Sequence, residues 1–339
     1  MWVFTQSAPL PAQPPELRGA VLPLYAADPD FDYGFAIDEL GALGVNAVNL
    51  TVVLLQENGT STEIYRKAGR TIPDNALRRT IRQCHARGMA TLLFPIVLLE
   101  SPGPDEWRGN MAPADLDAWF EDYRSWILHY ARIANEENCD WVSIGSEFSS
   151  LEIYAEQWEE TISAVRAECA ATSLTYSCNW DHLFGPELWW DRLDAIGLSS
   201  YYELTKDQNA DQAALDSAWR IFRSDILEWR REQALDHLPL LLTEVGYPSL
   251  DGGAVYPWDY TLKNPPDLRE QARAYQAFIS AWDGRPELGG VFFYKWLGFE
   301  TQPERGYSPR GKPAEFVIRA WLAPEDAASP PESPSLPGR

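Results

Sequence analysis

Two glutamates stand where short apolar runs give out. Glu147 lies next to last in "DWVSIGSEF" (140–148), and Glu244 comes just after the apolar run and Thr243 of "LPLLLTEVGY" (238–247). Either one alone reads as a strand end reaching solvent. Together they meet the demand of glycosidic-bond cleavage, in which one carboxylic acid protonates the leaving oxygen and one carboxylate attacks the anomeric carbon. Their surroundings must then hold the two pKa values apart near neutral pH. Other apolar runs end in suitable company. "CNWD" brings Asn179, Trp180 and Asp181, "SSYYE" brings Tyr201, Tyr202 and Glu203, and "YKW" brings Lys295 and Trp296. A tyrosine can hydrogen-bond and orient an attacking carboxylate, and an indole can form the floor beneath a sugar ring.

Such groups act together only if the fold gathers them. Eight apolar runs rich in β-branched and aromatic residues read as strands: 19–26, 45–55, 89–99, 140–148, 173–180, 195–204, 238–247 and 289–298. Segments with apolar residues at spacings of three and four separate most of them. Asp74 and Asp267 are candidate helix starts, and Gly44, Gly88 and Gly284 candidate stops. The stretch between the fifth and sixth runs, "DHLFGPELWWDRLD", has room for no more than a helical turn. Alternation on this scale predicts an α/β fold, a single-domain (β/α)8 TIM barrel. The competing open, doubly wound sheet usually carries a glycine-rich turn after its first strand, and "LYAADPDFDYG" has no GxGxxG. In a barrel, Glu147 and Glu244 end strands four and seven and face each other across the mouth where active sites lie. The expected boundaries are an N-terminal extension over 1–17, the barrel over 18–322, and a disordered Pro- and Ser-rich tail over 323–339.

Composition narrows the partners. With 28 basic and 50 acidic residues among 339, the formal net charge is −22, which opposes binding to nucleic acid or anionic membranes. No run approaches the roughly 18 apolar residues of a membrane span, and no ordinary signal peptide is visible, which leaves the location open. Cys84, Cys139, Cys169 and Cys178 form no CxxC pair and read as buried free thiols. The four histidines lack HExxH or comparable spacing, so neither metal nor cofactor is expected.

Six stretches, in order along the chain, carry a resemblance: "WRG" (107–109), "IGSEF" (144–148), "LTYSCNWD" (174–181), "IGLSSYY" (196–202), "LLLTEVGYPS" (240–249) and "GYSPRGKPA" (306–314). The sequence resembles glycoside hydrolase family 113, in a clan of retaining (β/α)8 glycosidases. The resemblance implies an endo-acting β-1,4-mannanase, with Glu147 as acid/base and Glu244 as nucleophile. Their carboxyl groups would then lie about 5–5.5 Å apart, the separation for a covalent glycosyl-enzyme intermediate. Tyr201 matches the clan's nucleophile-supporting tyrosine, with Tyr202 adjacent as the other candidate, and Trp296 matches its strand-eight tryptophan beneath the sugar. Asn179 and Trp180 would line the cleft. The chain departs from the clan at Ser146, where many members have an asparagine whose amide binds the sugar 2-hydroxyl. Serine is shorter and offers one donor instead of two, and mannose is distinguished by its axial 2-hydroxyl, so substrate preference is less determined than mechanism.

Around this centre, Arg108 would bind a sugar or pin its loop. Tyr256, Trp258 and Tyr260, in the loop after strand seven, are candidate sugar contacts. Lys295 should point away from the face used by Trp296 and receives no role. Trp189 and Trp190 should pack the barrel's exterior. The expected partner is a β-linked oligo- or polysaccharide, of the mannan class. The alternatives are an exo-acting β-mannosidase, another β-glycosidase, or a non-hydrolytic carbohydrate-binding barrel.

Overall fold

The structure, a computed structural model, describes residues 17–26, 28–185, 188–296 and 305–322. Eight parallel strands form a closed sheet: β1 (Leu17–Pro23), β2 (Ala47–Gln56), β4 (Ala90–Leu99), β5 (Trp141–Ser146), β6 (Ser173–Asn179), β7 (Ala195–Ser200), β8 (Leu240–Val245) and β9 (Leu288–Phe293). The ring closes where β1 pairs with both β2 and β9. A two-residue strand, β3 (Ile64–Tyr65), pairs antiparallel with the end of β2. The helices are α1 (Gly34–Leu43), α2 (Asp74–His85), α3 (Leu116–Glu137), α4 (Ala155–Glu168), α5 (Gln212–Glu232), α6 (Leu268–Trp282) and α7 (Pro313–Leu322). Among the described residues, the β6–β7 connection holds only a 3-10 turn at Trp190–Arg192, as its sequence suggested. Its flank opens a cavity of about 980 Å³ against α5, away from the strand ends that carry Glu147 and Glu244.

The strands read as nearly unbroken apolar runs because a barrel strand is covered on both faces; all ten residues of β2 are buried. Alternation sorts them into two layers. Leu17, Val21, Leu92, Phe94, Leu241 and Phe292 fill the lumen, while a much larger cluster fills the space between strands and helices. Gly19 makes room in the lumen, since a Cβ there would lie 2.2 Å from the Phe292 ring. Asp267 caps α6 as expected, accepting from the Arg269 and Glu270 N–H groups. Asp74 does not cap α2. Pro73 holds the N-cap position, and Asp74 is the first helical residue, paired with Arg66 at 2.8 Å.

One boundary differs from expectation. Leu17, assigned from sequence to the extension, opens β1 and pairs with Gly290. Residues 1–16 and the expected tail, 323–339, lie outside the described residues. The four cysteines are free and buried.

Candidate active site

Both glutamates sit where the barrel's ladders break step. The β5–β6 register shifts between Ser143 and Ser146, and the β8–β9 register shifts between Leu242 and Val245. A bulge of this kind re-aims a side chain that strict alternation would send elsewhere. Glu147 shows the effect most clearly, because its backbone is left-handed at φ +56°. For a residue with a Cβ that conformation costs roughly 1–2 kcal/mol, so its neighbours must enforce it. They do so on both sides. The Glu147 N–H donates to the Ser177 carbonyl at 2.8 Å, and the Phe148 N–H donates to the Tyr176 hydroxyl at 2.9 Å.

The Glu147 carboxylate, 5% exposed, accepts from the guanidinium of Arg108. Arg108 begins a 3-10 turn in the loop after β4, held against the next loop by bonds from Ser150 to Gly109 and Met111. Burial works against its charge, but Glu147 and then Glu244 outweigh it and push its pKa up. Its Nε and the hydroxyl of fully buried Ser146 have no hydrogen-bond partner among the described residues.

Glu244 is the fifth residue of β8 and 4% exposed. Its carboxylate accepts from the Tyr201 hydroxyl at 2.5 Å. Burial, reinforced by the negative charge of Glu147, pushes its pKa up to about 7. The Tyr201 hydrogen bond and the charges of Arg108 and Lys295 oppose that rise. The negative charge of Glu147 thus reaches Glu244 across the mouth of the barrel. Below them lies a polar layer across the lumen: the Ser177 hydroxyl bonds those of Ser199 (2.8 Å) and Thr243 (2.5 Å), and Asn49 donates to the Thr243 carbonyl.

The structure separates the remaining expected residues. Tyr201 reaches Glu244, whereas the Tyr202 ring turns outward and lies flat on Phe222 of α5, centroids 4.0 Å apart; Tyr202 belongs to the packing between barrel and helix. Asn179 ends β6 on the same face as Ser177, close to fully buried, at the mouth. Trp180 is half-buried beside Trp258 (5.5 Å), which in turn meets Tyr256 edge-on (5.9 Å), so three aromatics rim the opening. Tyr260 is 84% exposed. Trp189 packs on Trp158 and Tyr176 in the outer layer, where the exterior packing was expected.

Trp296 and Lys295 are reversed. Trp296 is buried in the layer between barrel and helices, and its indole N–H donates to Glu39 of α1 at 3.1 Å, so it is not gathered with the two glutamates. Lys295 instead donates to the Tyr25 hydroxyl at 2.7 Å, and its charge acts on Glu244. The reason is local: regular β9 ends at Phe293, and alternation cannot be carried three residues past it. The aromatic close to the two glutamates is instead Tyr294, the first residue past β9, whose hydroxyl feels the charge of Glu244. Its ring meets Tyr201 at 5.7 Å and Tyr307 at 5.4 Å, both edge to face. Alternation from lumen-filling Phe292 points to Tyr294 as readily as to Trp296, and only the fold separates them. Tyr307, tied to the Pro257 carbonyl at 2.6 Å, had no comparable signal. Gly246 leaves the space these rings need, because a Cβ there would lie 2.7 Å from the Tyr294 carbonyl oxygen.

Two buried carboxylates at the ends of the fourth and seventh strands of a closed (β/α)8 barrel, one braced by a tyrosine and one by an arginine, define a glycoside hydrolase. The model of glycoside hydrolase family 113 matches residues 35–309, and the chain belongs to that family. Among solved structures it is similar to the family 113 β-mannanase AaManA from Alicyclobacillus acidocaldarius, in complex with ManMIm. The identity is 28% and the TM-score 0.79, over 91% of this chain and 98% of that one. A family 113 β-1,4-mannanase solved as a complex aligns at 23% identity and TM-score 0.80, over 91% and 99% of the two chains. A β-glucuronidase from Ruminococcus gnavus shares the fold at 13% identity and TM-score 0.62, over 92% of this chain and 50% of that one. Among curated proteins none matches.

One expectation follows directly from the geometry. Replacing Tyr201 by Phe removes a charge-assisted hydrogen bond worth about 1.5–3 kcal/mol, so kcat/KM on a cleaved saccharide should fall roughly 10- to 100-fold. That bond favours the carboxylate, so its loss raises the Glu244 pKa further. If activity requires ionised Glu244, it should fall as pH drops through about 7 in the parent, and the acid limb of the variant should move to higher pH. A pH–kcat/KM profile in which the limb stays put contradicts the bracing role.

Proposed function

We propose that the protein is an endo-acting β-1,4-mannanase working with retention, with Glu244 as nucleophile and Glu147 as acid/base. The observation that carries this reading is the pair itself: two buried carboxylates just past β5 and near the end of β8, Glu244 held by the Tyr201 hydroxyl and Glu147 adding to its charge environment. The family and the β-mannanases among its structural neighbours support the mannan class.

In the first step Glu244 attacks the anomeric carbon while Glu147 gives its proton to the glycosidic oxygen, and the carbon–oxygen bond to the leaving sugar breaks. In the second, Glu147 takes a proton from water, the water oxygen attacks the same carbon, and Glu244 leaves. Two inversions give retention. Burial favours a proton on Glu244 in the unliganded site, and Arg108 pairs with the carboxylate of Glu147. Catalysis needs the opposite arrangement. A saccharide lodged between the carboxylates would draw Arg108 to its hydroxyls and free Glu147 to take the proton. The unpartnered Ser146 hydroxyl and Arg108 Nε are the groups beside Glu147 with hydrogen bonds to give. Trp180, Trp258 and Tyr256 offer ring faces to sugars further along the chain.

The test is product analysis on manno-, gluco- and xylo-hexaose. Internal cleavage of the manno chain alone is the expected result. Release of single sugars would replace the endo reading with an exo-acting pocket, and binding without cleavage would leave a carbohydrate-binding barrel.

A further inference from the structure

Behind the acid/base lies a chain of buried polar groups that touches neither carboxylate. Tyr176, fully buried on β6, accepts the Phe148 N–H at 2.9 Å and donates its own proton to Glu152 at 2.7 Å. Glu152, 1% exposed, uses its second oxygen to meet His182 Nδ1 at 2.8 Å. His182 sits just beyond the end of β6 with its ring partly open to solvent. Three elements thus converge on one peptide group: the turn after β5, β6 itself, and the connection that follows it.

The peptide so held is the one leaving Glu147. A tyrosine hydroxyl that accepts from Phe148 must place its own proton somewhere, and in a buried layer an unplaced donor is costly. Glu152 accepts it, and His182 adds a partner for a carboxylate that burial leaves only the tyrosine and the Cys178 thiol to meet. The Phe148 backbone reinforces the turn, since the Leu151 and Glu152 N–H groups both donate to its carbonyl. Packing on Trp158 and Trp189 fixes the Tyr176 ring.

We propose that Tyr176, Glu152 and His182 form a positioning relay that holds Glu147 in its left-handed conformation and aims its carboxyl at the leaving-group oxygen. None of the three is a catalytic residue, because each acts only through the Phe148 peptide. The relay rests on the reading of Glu147 as acid/base, and the test keeps the two apart.

The test compares kcat/KM of the parent, Tyr176→Phe and Glu152→Gln on mannohexaose, whose leaving sugar needs an acid, and on a dinitrophenyl β-mannobioside, whose leaving group does not. Tyr176→Phe should lose roughly 10- to 100-fold on mannohexaose, a share of the 10²–10⁴ that general acid–base catalysis supplies, and under about threefold on the activated substrate. Glu152→Gln keeps an acceptor for the tyrosine and should show the same selectivity with a smaller loss. A purely structural defect lowers the active fraction and hits both substrates equally; equal losses, or none, overturn the relay. If Tyr176→Phe does not fold, Glu152→Gln alone decides by the same criterion. A parent that cleaves neither substrate refutes the acid/base reading, and with it the relay.

Discussion

Glu244→Gln should abolish turnover while making the protein more stable at pH 8. The activity loss on mannohexaose should reach several thousandfold, roughly 5 kcal/mol or more of barrier, because an amide cannot form the covalent intermediate. The stability gain follows from the buried charge. The Glu244 pKa stands at about 7 in the folded protein against 4.5 for the free side chain, with burial as the main cause and Glu147 second. The folded state therefore binds the proton more tightly than the unfolded one. Its stability declines as pH rises from 4.5 through 7 and levels off above, a cost of at most about 3 kcal/mol. Glutamine carries no charge to bury, and its oxygen can still accept from Tyr201. The variant's Tm should exceed the parent's at pH 8, and the advantage should vanish near pH 4, where the carboxyl is protonated in both states. Near-parental activity would remove Glu244 from the nucleophile's place. An equal Tm difference at both pH values would show that something other than the charge was relieved.

On the proposed reading, this pairing of inactivity with stability accounts for the make-up of "LLLTEVGYPS". Four apolar residues fix β8 in the barrel, and Glu244 pays for rigid placement with a buried charge. The run was legible because strand ends in a barrel have one direction and one mouth. Glu147 was legible for the same reason, yet its left-handed backbone was not, since nothing in "IGSEF" marks φ +56°. Tyr201 and Tyr202 could not be separated by sequence. Their division rests on where β7 stops, at Ser200, and on Phe222 of α5 waiting for the second ring. The Trp296 expectation went astray for a related reason, since alternation was carried past Phe293, where the ladder has ended. Glu152 and His182 escaped notice because their meaning is relational. They lie 24 and 6 residues from Tyr176, neither ends a strand, and only the folded chain brings them to one peptide.

Glu147→Ala should divide substrates by their leaving groups. On mannohexaose, kcat/KM should fall by about 10²–10⁴, the usual worth of a general acid. On a dinitrophenyl β-mannobioside the first step needs no proton, so kcat/KM should stay within about tenfold of the parent, a small part of that range. The second step then limits kcat, because no base activates water and the glycosyl-enzyme accumulates. Added azide needs no base, and it should restore kcat by attacking the anomeric carbon from the face that Glu147 served. The product is a β-mannosyl azide, the configuration of the starting bond. The cavity suits the anion, since Arg108 loses its partner in this variant and leaves a buried cation beside the space that Glu147 vacates. In Glu244→Ala, azide would enter from the opposite face and give the α product. The configuration of the azide formed by each variant therefore assigns the two roles independently of rate. A β-azide from the Glu244 variant and an α-azide from the Glu147 variant would reverse them.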